Sequence, residues 1–181
     1  MFNIFKKKPK IMKTLYLVRH AKSDWSIPVD TDFERPLNTR GMRDAPFMAK
    51  NFVDNYLVKP EIIISSPAIR ALTTAFFFAI ELNYKKEDIV QDEDIYGNGK
   101  GTILKLISEL KDVNCAILFG HNPDISIVVT YLTGEKSYGL STCSIAHIEF
   151  ETNNWKDIIK QNGRLVSLNF PKKYFNDITD D

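Results

Sequence analysis

A chain of 181 residues is long enough for one domain with a sizeable core and short for two. Its 44% of hydrophobic residues exclude a disordered chain, and a net charge of +1, from 24 basic and 23 acidic residues, offers no general attraction for nucleic acid. The longest fully apolar run, 75–80, is far short of the ~20 residues that cross a bilayer, and no signal peptide is evident. We therefore expect a soluble, cytoplasmic protein with neither a nucleic-acid partner nor a membrane partner.

At the amino-terminal end, apolar residues precede a lysine run that reads KKKPK at 6–10. A flexible basic extension over 1–12 is the preferred interpretation. The alternative is a weak membrane-surface anchor, because apolar residues beside lysines favour anionic lipid. A single domain is expected over 13–170, followed by a tail at 171–181.

From residue 14 onward the pattern alternates between strands and helices. Short apolar runs bounded by turn residues predict buried strands at 14–18, 61–65 and 114–119. Helical patterns lie at 39–57, 66–83, 102–111 and 123–132, and a long polar loop covers 20–38. Ser66 is suited to be the N-cap of the second helix, with Pro67 at its first position, and Gly134 is suited to end the last one.

The pattern changes after the last helix. Short β-type runs at 144–150 and 164–170 flank a polar turn, which is typical of antiparallel strands. Alternating strands and helices followed by a β-rich end predict an α/β fold. Its expected form is a three-layer α/β/α sandwich with a mostly parallel central sheet and an antiparallel edge.

The two cysteines, Cys115 and Cys143, lie far apart, and Cys115 belongs to an apolar run. Few and separated cysteines indicate reduced thiols in a core. Neither has neighbours with the spacing of metal ligands, so no metal and no cofactor are expected.

Basic residues follow each of the three predicted parallel strands. Arg19 and His20 come directly after the first strand. Arg70 lies in the first turn of the helix after the second strand, and His121 follows the third. Because the carboxyl ends of parallel strands share one edge of a sheet, these side chains can converge there. Ser66 and the first amides of its helix add donors that favour an anion, so the sequence predicts a phosphate site.

The two histidines indicate what such a site can do. A neutral imidazole can attack phosphorus and form a covalent phosphohistidine, provided that an acceptor holds its other ring nitrogen and fixes the tautomer. Neighbouring arginines disfavour the charged imidazolium and stabilise charge on the transferring oxygens. The second histidine can donate a hydrogen bond to the same oxygens. The pattern therefore predicts phosphoryl transfer.

Four blocks carry a family resemblance: LVRHAKS at 17–23, RPLNTRG at 35–41, SSPAIRA at 65–71 and GHNP at 120–123. In order and separation they resemble the motifs of the histidine phosphatase superfamily (branch 1), whose first block usually contains Arg-His-Gly. The alanine variant in this chain is similar to that of the small SixA-type phosphohistidine phosphatases. The resemblance covers roughly 12–170 and implies a phosphoglycerate mutase-like fold.

The resemblance also implies roles for individual residues. His20 would be the nucleophile, and three residues would bind the phosphoryl group: Arg19, Arg70 and His121. A second set is expected to contact the substrate: Ser23, Lys22, Arg35 and Ser66.

Two residues of this second set have an alternative interpretation. Lys22 at the mouth of the site could attract anions, although exposed lysines are usually only solvated. Arg35 could reach the substrate from the long loop or brace that loop with Asp30 or Asp32.

Many members of the superfamily carry a glutamate that acts as general acid. The corresponding region here reads DEDIYG at 92–97, which offers Glu93 or Asp94 as the acid and solvated loop carboxylates as the alternative. A phosphohistidine substrate has less need of such an acid, because its leaving nitrogen can be protonated beforehand.

The favoured function is a phosphatase that acts on protein phosphohistidine, with a histidine phosphotransfer protein as a fitting partner. The first alternative is a small-molecule phosphomonoesterase of the same superfamily. The second is a phosphate- or phosphoprotein-binding module without turnover. The small size of the chain predicts an open site, because inserted helices that would close over a metabolite are missing. The sequence does not indicate an oligomeric state.

Overall fold

Six strands form one sheet in the computed structural model, which describes residues 12–136 and 139–175. They are β1 (Lys13–Arg19), β2 (Ile62–Ser65), β3 (Val90–Gln91), β4 (Cys115–Gly120), β5 (Ile145–Phe150) and β6 (Arg164–Asn169). Their order across the sheet is β3-β2-β4-β1-β5-β6. The first four in this order are parallel, and β5 and β6 are antiparallel to their neighbours, which confirms the predicted antiparallel edge.

Four α-helices cover the two faces of the sheet within the described residues. They are α1 (Thr39–Asn55), α2 (Ile69–Glu81), α3 (Lys100–Ser108) and α4 (Asp124–Thr133). Alternate residues of β1 serve the two faces: Tyr16 packs in the core cluster with α1 and α2, whereas Leu17 packs in the cluster with α3 and α4. The predicted three-layer α/β/α sandwich is therefore confirmed. No helix in 12–136 or 139–175 has the length and apolarity needed to cross a membrane.

The predicted start of the second helix is wrong. α2 begins at Ile69 with Ala68 in the N-cap position, because the chain is still extended at Ser66, whose backbone N–H donates to the Phe119 carbonyl at 3.0 Å. The Ser66 hydroxyl accepts a hydrogen bond from the Ala68 N–H at 3.3 Å instead of capping the helix. This arrangement keeps Ser66 at the end of β2, beside β4.

The predicted basic extension lies outside the described residues, except for Met12. The predicted tail is described as far as 175, and that part packs against α1. The ring of Phe47 on α1 contacts those of Tyr174 and Phe175, with centroids 5.1 and 4.6 Å apart.

The strand register brings three chain segments together at the carboxyl edge of the sheet. Arg19 pairs with Gly120, and Ser65 pairs with Phe119. The His20 N–H then donates to the Gly120 carbonyl at 3.0 Å. The residues that follow β1, β2 and β4 are thus adjacent, as expected for parallel strands.

Candidate active site

His20 is buried at the end of β1 in a fixed ring orientation. Its Nδ1 donates a hydrogen bond to the Ala21 carbonyl oxygen at 2.7 Å. Because a carbonyl can only accept, Nδ1 carries the proton, and Nε2 holds a lone pair when the ring is neutral. Burial, and then the neighbouring His121, hold the pKa of His20 well below its usual range, and Arg70 and Arg19 add to this effect. The ring is therefore neutral near pH 7.

His121, directly after β4, faces His20 across the carboxyl edge. The two ring centroids are 5.0 Å apart. Nε2 of His121 lies 2.9 Å from the Ser66 hydroxyl, and its Nδ1 has no hydrogen-bond partner among the described residues. Burial, together with the charge of Arg70, lowers the pKa of His121 to about 3. If Nε2 accepts from Ser66, Nδ1–H is a donor for a phosphoryl oxygen.

Arg70 on α2 is buried in the same cleft and is paired with a carboxylate. One guanidinium nitrogen donates to the Asp32 carboxylate at 2.8 Å, and another donates to the Asp32 backbone carbonyl at 2.5 Å. The Tyr96 hydroxyl donates to the same carboxylate at 2.6 Å. Burial opposes ionisation of Asp32, but hydrogen bonds from Tyr96 and Arg35 and the charge of Arg70 prevail and lower its pKa to about 2.

Arg35 lies deep in the long loop and connects three of its residues. Its Nε donates to Asp32 at 2.8 Å, a second nitrogen bonds to the Ser23 hydroxyl, and its guanidinium lies 3.5 Å from the centre of the Trp25 ring. Of the two predicted roles, the brace with Asp32 is present, and Arg35 and Ser23 also line the cleft. Asp32 therefore holds Arg35 within the loop and joins the loop to α2 through Arg70.

Arg19 reaches the cleft from the last position of β1. It donates to the Leu140 carbonyl at 2.6 Å, and the Asn122 side chain donates to the same oxygen at 2.9 Å. Lys22 also lines the cleft, three residues beyond Arg19. The structure thus places cationic side chains from β1, the loop and α2 around the two histidines.

The cleft formed by these side chains has a volume of about 390 Å³. Most of the residues predicted from sequence line it: Arg19, His20, Lys22, Ser23, Arg35, Arg70 and His121. Ser66 is not one of the residues that line the cleft, and its hydroxyl contacts Nε2 of His121. Within the described residues, no group of three or more side chains has the composition of a metal site.

The structure does not bring Glu93 or Asp94 to the cleft. Both are exposed residues of the 3₁₀ turn Glu93–Ile95, and the Asp94 carboxylate accepts a hydrogen bond from the Asn98 side chain at 3.0 Å. The residue of this segment that reaches the site is Tyr96, whose ring edge lies against His121 with centroids 5.0 Å apart.

Sequence reasoning gave no site role to Tyr96 and considered Asp32 only as a brace for Arg35. Neither residue belongs to the four blocks, and each is brought in by a loop rather than by a strand end. One signal was available for Asp32, because its spacing of three residues from Arg35 suits an ion pair within one turn. Tyr96 offered no comparable signal.

Comparison with known proteins shows similarity in sequence and in fold. The model of the histidine phosphatase superfamily (branch 1) matches residues 15–97, a range that includes His20 and Arg70. A solved structure assigned as the phosphohistidine phosphatase SixA of Agrobacterium tumefaciens is 28% identical. It covers 88% of this chain and 98% of its own, with a TM-score of 0.74. The chain is therefore similar to the histidine phosphatase superfamily in sequence and in fold. This similarity indicates phosphatase activity.

Two further relatives extend the comparison. An uncharacterized chloroplastic protein of Arabidopsis thaliana is 25% identical over 162 residues, which cover 84% of this chain and 73% of that protein. A mycobacterial glucosyl-3-phosphoglycerate phosphatase is 13% identical over 88% of this chain and 100% of its own, with a TM-score of 0.65. The latter similarity is one of fold.

Proposed function

We propose that this protein hydrolyses phosphohistidine in proteins through a phosphoryl intermediate on His20, with a histidine phosphotransfer protein as the fitting partner. The observation that carries the proposal is the ring orientation of His20. Its Nδ1–H is held by the Ala21 carbonyl at 2.7 Å, which leaves the Nε2 lone pair for attack. A buried neutral imidazole beside cationic donors fits in-line attack on phosphorus.

In the first step, the Nε2 lone pair of His20 forms a bond to phosphorus while the bond between phosphorus and the substrate nitrogen breaks. The electron pair of the broken bond stays on the substrate imidazole. If that imidazole was protonated on its other nitrogen, it leaves as a neutral ring. Arg19, Arg70 and His121 bind the phosphoryl oxygens and stabilise the charge of the transition state.

In the second step, a water molecule attacks the phosphorus of phosphohistidine 20. The bond from phosphorus to Nε2 breaks and returns its electron pair to His20. Inorganic phosphate leaves, and the proton lost by the water passes to solvent. The enzyme is then restored, with Nδ1 of His20 still bound to Ala21.

The acid–base character of the cleft favours a phosphohistidine over a phosphate ester. Asp32 is the carboxylic acid that lines the cleft among the described residues. With a pKa of about 2 and a hydrogen bond from Arg70, it is ionised near neutral pH and unsuited to protonate an alkoxide. A leaving imidazole has no such requirement. This contrast supports the substrate assignment.

The mouth of the cleft also suits a protein substrate. Loop residues form its outer wall, and the helical segment of that loop is a single turn, Asp32–Glu34. Trp25 at the rim has 77% of its surface exposed although Arg35 stacks on it. Exposed aromatic residues beside a site are typical of protein contact surfaces.

A small phosphate ester is the second candidate substrate. The cleft volume of about 390 Å³ lies within the usual range for small-molecule sites. The fold similarity to the mycobacterial glucosyl-3-phosphoglycerate phosphatase is consistent with it. A cytoplasmic location is proposed as well, because Cys115 and Cys143 are both buried free thiols, as expected in a reducing compartment.

The test compares two substrates in wild type and His20→Ala. One substrate is a histidine phosphotransfer domain phosphorylated with phosphoramidate, and the other is p-nitrophenyl phosphate. We expect a higher kcat/KM on the phosphoprotein and a loss of at least ~10³-fold in His20→Ala. Rapid quenching should trap a phosphoenzyme that is labile in acid and stable in alkali, and His20→Ala should not form it.

Three results would redirect the assignment. Equal activity of wild type and His20→Ala removes His20 as the nucleophile. A preference for p-nitrophenyl phosphate favours the small-molecule phosphatase. Binding of phosphate without hydrolysis of either substrate favours a binding module without turnover.

A further inference from the structure

A second and larger concavity runs along the outward face of α4. The opposite face of this helix is buried in the core through Ile125, Val128, Val129 and Leu132. The outward face carries Ile127, Thr130 and Tyr131, which the helical repeat places side by side. With neighbouring residues they line a groove of about 920 Å³, named here the α4 groove. Ile127 remains 43% exposed, so the floor offers apolar surface to a partner.

Lysines surround the α4 groove. Lys100, Lys136 and Lys160 line it, and all three are exposed. None of its described lining residues is acidic. An apolar floor with a cationic rim is complementary to a partner that is apolar at its centre and acidic at its edges.

The α4 groove adjoins the catalytic cleft. Asn122 lines both. Its side chain donates to the Leu140 carbonyl at 2.9 Å, and Arg19 donates to the same oxygen at 2.6 Å. On the groove side, the Ser126 hydroxyl donates to Asn122 at 2.7 Å and accepts from the Leu140 N–H at 2.9 Å. A narrow hydrogen-bonded wall therefore separates the groove from the phosphate-binding arginine.

We infer that the α4 groove docks a helix of the phosphorylated protein substrate, apolar on one face and acidic at its edges. This inference rests on the proposed function. The floor follows α4, so a second helix can pack along it with its side chains between those of α4. A phosphohistidine projecting from that helix past Asn122 enters the cleft where His20 lies. Docking adds binding energy for a protein that a small phosphate ester does not receive.

The experiment compares kcat/KM on two substrates for variants of the α4 groove. Ile127→Glu places a negative charge on the exposed part of the floor, and Lys136→Glu and Lys160→Glu reverse charges at the rim. For the phosphorylated histidine phosphotransfer domain we expect kcat/KM to fall roughly 10- to 100-fold, mainly through KM. For p-nitrophenyl phosphate we expect a change of no more than about twofold, because none of these residues lines the cleft.

Matched controls lie on α2, on the face of the sheet opposite to α4, and just after α2. Ile80→Glu alters an isoleucine of α2 that is 67% exposed, and Lys85→Glu reverses an exposed lysine just after that helix. Both variants should retain wild-type kcat/KM on both substrates. Urea unfolding of every variant checks that the fold is kept.

The outcomes separate this inference from the function on which it rests. If wild type hydrolyses the phosphoprotein and the groove variants match it, docking in the α4 groove is overturned while the proposed function stands. If wild type hydrolyses only p-nitrophenyl phosphate, both are overturned. If the groove variants lose kcat/KM equally on the two substrates, the groove supports the structure of the cleft and does not dock the substrate. If wild type is a dimer in sedimentation velocity and Ile127→Glu is a monomer, the groove instead binds a second copy of this chain.

Discussion

The Asp32 carboxylate accepts a hydrogen bond from the Arg70 guanidinium at 2.8 Å inside the cleft that is proposed to bind the phosphoryl group. A carboxylate and a phosphate both accept hydrogen bonds from guanidinium, so the protein places one of its own anions where a substrate anion needs a donor. The same carboxylate holds Arg35 and Tyr96. Asp32 therefore organises the residues around the cleft, and its charge opposes that of the proposed phosphoryl ligand.

Asp32→Asn should make inorganic phosphate a stronger competitive inhibitor. The variant keeps the shape of the side chain but removes a negative charge that repels phosphate and competes for Arg70. We expect the inhibition constant of phosphate to fall roughly 3- to 10-fold at constant ionic strength. Asp30→Asn, which alters an exposed carboxylate of the same loop, is the control and should leave the constant unchanged. A rise in the constant for Asp32→Asn would show that positioning Arg70 outweighs the competition.

Stability should decrease in weak acid because His121 resists protonation in the folded protein. Its native pKa is about 3, against 6.5 for the free side chain. Between these values the unfolded state binds a proton that the native state does not, so the free energy of unfolding falls as the pH falls. His121 contributes at most about 1.4 kcal/mol per pH unit to the slope of the free energy of unfolding against pH, and His20 contributes with the same sign.

Urea unfolding at several values between about pH 6 and pH 4 measures this slope in wild type and His121→Gln. Asp32 changes stability little in this pH range. Its contribution to the free energy of unfolding is lost mainly at lower pH, as the pH falls toward its native pKa of about 2. The variant should show the shallower dependence on pH. Identical slopes would contradict the lowered pKa of His121.

The convergence of His20, Arg70 and His121 could be predicted because it follows from strand order alone. Each residue comes just after a parallel strand or in the first turn of the helix that follows one, and apolar runs mark such strands clearly. The role of Asp32 could not be predicted in the same way. It depends on the path of the loop at 20–38, where no periodic pattern constrains the backbone. Tyr96 likewise reaches His121 from a segment whose acidic residues face solvent.

The start of α2 illustrates a different limit. Ser66 followed by Pro67 has the chemistry of a helix start, but the backbone of Ser66 is bonded to β4. Sheet pairing at the preceding strand prevailed over the local capping preference. Such competition depends on a neighbour that is distant in the sequence, so local reasoning places the helix start too early.

The two thiols should be unreactive in the folded protein. Burial raises the pKa of Cys115 to about 12 and also raises the pKa of Cys143. Because the thiolate is the reactive form, Ellman's reagent at about pH 8 should label neither thiol within the time that labels both in guanidinium chloride. Rapid labelling of Cys143 in native buffer would contradict this. It would also indicate local opening next to His20, since the Cys143 N–H donates to the His20 carbonyl at 3.1 Å.

A close backbone contact near His20 makes Gly41 sensitive to substitution. A Cβ added there would lie 2.1 Å from the Lys22 carbonyl oxygen, two residues beyond His20. That oxygen also accepts a hydrogen bond from the Asn38 N–H at 3.0 Å, so it cannot move away without loss. Gly41→Ala should therefore reduce the free energy of unfolding by about 1–3 kcal/mol and lower kcat, as the segment carrying His20 shifts.

Gly101→Ala is the matched control for this substitution. Gly101 lies in α3 with no atom within 4 Å of an added Cβ, so alanine should increase the free energy of unfolding by about 0.5–1 kcal/mol. Urea unfolding and kcat on p-nitrophenyl phosphate measure the two effects in both variants. If Gly41→Ala lowered stability but left kcat unchanged, the contact would serve the fold alone. A loss in both quantities, confined to Gly41→Ala, ties the packing of α1 to the position of His20.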